Sequence, residues 1–113
     1  MRNLDGVYEK IDYSENSSIL LHINRETDHY PPHWHTAVEV IMPIINIYTV
    51  NISKITYTLQ EGDILVIPAG ELHELIAPKS GMRRILLFDY SVISNLKGIN
   101  IFTVLNQPRL ITS

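Results

Sequence analysis

From Ser18 to Tyr90, short runs rich in β-branched and aromatic residues recur, and each stops at a turn signal within a few residues. The runs are Ile19–Arg25, Ala37–Met42, Ile44–Val50, Ile55–Leu59, Ile64–Ile67, Glu74–Ala77 and Met82–Phe88. Between them lie Asp28 and Pro31–Pro32, then Pro43, Asn51–Ser53, Glu61–Asp63, Pro68–Gly70 and Pro78–Gly81. Many short strands at regular spacing, with no sustained helical period, predict an all-β sandwich or barrel. Tyr48–Asn51 and Lys54–Tyr57 flank a short polar break and predict a hairpin.

The two ends differ from this pattern. Residues 1–17 are polar, with Tyr8 and Tyr13 as isolated aromatics, and read as an N-terminal arm that frays or forms an irregular edge. Past Asp89, Ser91 stands where a helix N-cap would, before Val92–Lys97, and Gly98 can end that turn of helix. The expected organisation is an arm over 1–17, a barrel over 18–90, and a helical or linker segment over 91–113.

Composition narrows what such a domain can do. With 113 residues, 45% hydrophobic and 19% charged, the chain is one globular domain with a real core. Nine Lys and Arg against 12 Asp and Glu give a net charge of −3, a poor balance for gripping a phosphate backbone. There is no cysteine, which removes disulfides, thiolate metal sites and cysteine nucleophiles together. The first residues lack the apolar region of a secretory signal, and the apolar stretches are too short to span a membrane. These features predict a soluble, cytoplasmic domain with no membrane contact.

Candidate chemistry concentrates in four residues. His33, His35 and Glu39 stand at i, i+2 and i+6, so in one continuous strand their side chains share a face. Imidazole nitrogens and a carboxylate on one face suit a first-row divalent metal. A single strand histidine is more often a satisfied or surface residue. Yet Glu39 lies within Ala37–Met42, which reads as buried, and a buried carboxylate needs a partner or a cation. His73 follows the Pro68–Gly70 turn at the head of another strand. It closes a three-histidine, one-carboxylate site if the two strands face each other. No phosphate loop, Ser-His-Asp set or HExxH motif is present.

These residues carry a resemblance. His33-Trp34-His35, three residues, then Glu39 resembles the first motif of the cupin superfamily. Gly62, five residues, then Pro68-Ala69-Gly70-Glu71-Leu72-His73 resembles the second. The resemblance covers about residues 18 to 90 and implies a double-stranded β-helix, a jelly-roll barrel with an open cup. It implies His33, His35, Glu39 and His73 as metal ligands, with Fe, Mn, Ni, Cu or Zn as the ion. Three positions depart from the pattern. Thr27 stands where a Gly usually precedes the first motif, Asn46 where a Gly usually ends it, and Ala77 where the second motif often carries Asn. Asn46 tolerates the left-handed conformation that such a turn needs.

The stretches Pro31–Ile41 and Gly62–His73, with the tail from Asp89 through Arg109, are also similar to the sensor domain of AraC-type transcription regulators. That resemblance implies a small-molecule effector, such as a sugar or another metabolite, in the cup. It implies a homodimer, and DNA contact only through a helix-turn-helix part absent from this chain. The same motifs also fit a stand-alone metal-dependent cupin, an oxygenase or isomerase, or a metabolite-binding module without catalysis.

Parity places the remaining candidates. Ile41 shares parity with Glu39 and Leu75 with His73, so both are expected to line the cup. Of the neighbours Arg83 and Arg84, one points inward, to meet a ligand or to pair with a carboxylate such as Glu39 or Glu74. Trp34 faces away from the cup, to pack on the arm or to contact a second copy. Tyr8 and Tyr13 either fray with the arm or close over a ligand. His22 and His29 lie outside the motifs and take no role.

Overall fold

A computed structural model describes residues 3–13, 18–89, 91 and 106–113. Its strands are β1 (Asn3–Asp5), β2 (Tyr8–Lys10), β3 (Ile19–Asn24), β4 (Tyr30–His33), β5 (Ala37–Ile45), β6 (Tyr48–Ile52), β7 (Ile55–Leu59), β8 (Ile64–Ile67), β9 (His73–Ile76), β10 (Met82–Asp89) and β11 (Arg109–Ile111). The first two form a hairpin of their own. The others form a five-stranded sheet in the order β11-β8-β5-β10-β3 and a four-stranded sheet in the order β4-β9-β6-β7. All pairings within the sheets are antiparallel.

The alternation of the sequence builds the core. Along β6 every second residue is buried, and β8 and β10 keep the same period over most of their length. Ala37, Ile41, Leu65, Ile67, Ile85 and Leu87 from the larger sheet meet Tyr48, Val50, Ile52, Leu59 and Leu75 from the smaller one in a single cluster. This is the all-β sandwich expected from the run pattern, with the jelly-roll form that the cupin resemblance implies.

Turn chemistry sets the corners. Ser53 (φ 49°) and Lys54 (φ 68°) are both left-handed, as a two-residue type I′ hairpin requires, and Ile52 pairs Ile55 across it. Asn46 takes φ 67° in place of the usual Gly, and its amide donates to the Ser80 carbonyl at 2.9 Å.

Two expected breaks are strand instead. Pro43 lies inside β5, which runs on to Ile45. The register shift of β10 between Met82 and Arg83 falls beside it, and its carbonyl accepts the Gly62 N–H at 2.9 Å. Pro31 and Pro32 lie in β4, the edge of the smaller sheet, where a missing N–H costs no ladder bond.

Residues 3–13 of the arm form structure where a frayed terminus was one expectation. Beyond its hairpin, Ile11 and Tyr13 pack against the core. Of the helical segment expected from Ser91, only Ser91 is among the described residues; Val92–Gly98 lie outside them. Among the described residues no helix is long and apolar enough to cross a membrane.

Candidate metal centre

His33, His35, Glu39 and His73 meet inside the barrel, and each is buried. They do not meet by the route their spacing suggested. His33 ends β4 in the smaller sheet, Glu39 lies in β5 of the larger one, and His35 sits in the crossover between them. The three therefore do not stack along one strand. The chain changes sheet at His35 and turns both ends of the motif toward the interior. His73 heads β9 and pairs with His33 on one side and Ile52 on the other. The Gly70 N–H donates to the His35 carbonyl at 2.8 Å, which ties the turn before His73 to the crossover.

All three imidazoles are held the same way. Nδ1 of His33 donates to the Pro31 carbonyl at 2.9 Å, Nδ1 of His35 to the Ala37 carbonyl at 2.9 Å, and Nδ1 of His73 to the Glu71 carbonyl at 2.8 Å. A carbonyl only accepts, so Nδ1 donates in each ring and Nε2 is the atom each ring turns toward the others. Such backbone anchoring fixes the tautomer and aims a metal-ligating histidine. The three rings offer nitrogens within 4.8 Å of one another. Glu39 Oε1 lies 2.8 Å from His35 Nε2 and 3.5 Å from His73 Nε2.

The Nε2 atoms of His33 and His73 are buried and make no hydrogen bond. Buried polar atoms without a partner are rare and costly in native proteins. Lone pairs and carboxylate oxygens converging on one point repel each other unless a cation or a proton lies between them. Two ligands each bound at ~2.1 Å, at right angles, stand about 3 Å apart. The 2.8 and 3.5 Å separations bracket that figure. The donor set thus fits a divalent transition metal.

A second carboxylate reaches the cluster that the sequence did not mark. Glu9 of β2 is 4% exposed, with Oε1 3.3 Å from His33 Nε2 and 3.8 Å from His35 Nε2. A glutamate between Tyr8 and Lys10 in a polar arm carries no sequence signal for burial.

The remaining candidates divide by face. Ile41 and Leu75 are fully buried in the core cluster. Arg83 points inward and Arg84 outward. The Arg83 guanidinium lies 4.1 Å over the Tyr48 ring, donates to the Asn24 side chain, and reaches the Glu26 carbonyl at 3.0 Å. Glu74 faces out, where Asn51 donates to it at 2.8 Å and His29 lies 2.7 Å away. The Asn51 hydrogen bond, then that of His29, holds its carboxyl below the ordinary range. The Trp34 ring packs on Tyr8 at 4.8 Å, so the arm covers it.

The β-sandwich barrel thus holds three aimed histidines and a carboxylate in its interior, a donor set that could hold a metal ion. No family model matches the chain, and no curated protein matches it by sequence. Solved structures do. A cupin-2 domain protein of Shewanella frigidimarina superposes with TM-score 0.57 at 22% identity, over 65% of this chain and 72% of that one. Oxalate decarboxylase of Bacillus subtilis, an enzyme with Mn(II) centres, gives 0.57 at 21%, over 72% and 24%. ToxT of Vibrio cholerae, an AraC-type regulator with a cupin-like N-terminal domain, gives 0.60 at 10%, over 86% and 43%. The chain has the cupin fold.

Proposed function

We propose that this chain is the small-molecule-sensing cupin domain of an AraC-like transcription regulator, with a divalent metal held by His33, His35, Glu39 and His73. The observation behind the metal is the pair of buried Nε2 atoms, on His33 and His73, that make no hydrogen bond. The sensor role draws support from the sequence motifs and from the likeness to ToxT, which extends over 86% of the chain. In this proposal Arg83, Ile41 and Leu75 bound the cup. A bound ion supplies a Lewis-acidic anchor for an oxygen-bearing effector such as a sugar or other metabolite. The histidines and Glu39 orient that anchor, and the apolar walls exclude water from it. DNA contact belongs to a helix-turn-helix part outside this chain, and the working form is a homodimer.

Thermal melting of the metal-loaded protein with a panel of sugars and small metabolites tests this. A saturable stabilisation without chemical change of the ligand supports sensing. Turnover of the stabilising ligand would replace it with the enzyme reading. That second reading, a metal-dependent oxygenase or isomerase, is favoured by the complete set of four ligand positions.

A further inference from the structure

We propose that Glu9 is a fifth ligand of this metal site, delivered by the N-terminal hairpin, so that hairpin docking and ion binding are one coupled equilibrium. The inference rests on the metal reading above and extends it to a residue outside both motifs.

The geometry starts at the backbone. β2 joins the barrel beside Trp34: the Glu9 N–H donates to the Trp34 carbonyl at 2.8 Å, and the Trp34 N–H donates to the Val7 carbonyl at 2.7 Å. Tyr8 and Trp34 are thereby paired in parallel, and their rings meet on one face at 4.8 Å. Side chains alternate across a strand, so the next residue, Glu9, points to the opposite face. That is the face onto which His33 and His35, the two neighbours of Trp34, turn their rings. The same two backbone bonds that seat the tyrosine therefore seat the carboxylate among the imidazoles, 3.3 Å from His33 Nε2 and 3.8 Å from His35 Nε2.

The polarity of β2 is the reverse of an ordinary docked strand. Its buried residue is the glutamate, while Tyr8 is half-buried and Lys10 exposed. Burying a carboxylate opposes docking unless something in the site rewards the charged form. A divalent ion held by the aimed Nε2 atoms would do so, and Glu9 Oε1 reaches two of them at 3.3 and 3.8 Å, as Glu39 Oε1 reaches two at 2.8 and 3.5 Å. An ion that binds the docked state more tightly than the undocked one favours docking by the same factor.

Trp34 is the only tryptophan of the chain, so its emission reports the hairpin directly. The test uses the full chain stripped by a chelator and titrated with Co2+, whose visible spectrum responds to ligand number and type. Wild type is expected to bind one Co2+ per chain with a matching change in Trp34 emission. Glu9→Gln is expected to bind one Co2+ about 10–100-fold more weakly, with an altered Co2+ spectrum and a reduced Trp34 response. Tyr8→Ala, which loosens the hairpin but removes no ligand, is expected to weaken binding too. Combined with Glu9→Gln it should add little, as coupled sites do. Wild-type affinity and spectrum in a folded Glu9→Gln would overturn the role of Glu9 and leave the four-residue site standing. No Co2+ binding by the wild type would instead remove the metal reading on which the proposal rests.

Discussion

At the scale of single residues, the site is built by small repeated devices. Each histidine spends Nδ1 on a carbonyl two residues away, and that local bond decides which nitrogen faces the cup. Loss of one ring removes a donor that no neighbour can replace. His73→Ala is expected to cost at least about 100-fold in ion affinity, more than loss of an outer partner, as isothermal titration would read. Tyr13 offers an independent prediction. Burial, then the nearby Asp89 carboxylate, raises its pKa above the ordinary 10.0. A raised pKa in the folded state means stability present below the unfolded value and lost as pH rises through the folded one. Wild type should therefore lose stability above about pH 10, and Tyr13→Phe should flatten that alkaline limb in melts recorded across it. Equal alkaline loss in both proteins would contradict the assigned cause.

At the scale of elements, turns carry much of the specification. Lys54 holds a left-handed conformation at a cost glycine avoids. Lys54→Gly is expected to raise stability by about 0.5–1 kcal/mol in urea unfolding. Gly81 is the opposite case. Its φ is 150°, and a Cβ there would stand 2.7 Å from the Ile45 carbonyl, so Gly81→Ala should destabilise by about 2 kcal/mol. Most strands were legible because alternation and turn residues agree, as at β7, whose expected and observed limits coincide at Ile55 and Leu59. The Pro-Pro strand β4 was hidden because proline marks a break unless the strand is an edge, and edges are a property of the sheet. The meeting of His33, His35, Glu39 and His73 was legible from the motifs. The crossing between sheets at His35 was not, since i, i+2 spacing looks the same in one strand or across two. Glu9 was illegible for a related reason: its burial follows from where β2 docks, a long-range contact with no local signature.

At the scale of the whole molecule, two sheets and an arm enclose a cluster of titratable side chains beside a largely apolar core. Folding must place five charged or titratable side chains there, Glu9, His33, His35, Glu39 and His73. An ion bound as proposed would turn that liability into linkage. At a free ion concentration 100 times Kd it adds about 2.7 kcal/mol, or roughly 10 °C in melting temperature for a domain of this size. The most direct measurement is elemental analysis of the purified wild-type chain beside a folded His73→Ala variant, with melts before and after chelation. The expected result is one transition-metal ion per wild-type chain, a melting temperature that falls on chelation, and neither property in the variant. A wild-type chain that holds no such ion, and gains no stability when Fe, Mn, Ni, Cu or Zn is added, would contradict a metal at the centre of this fold.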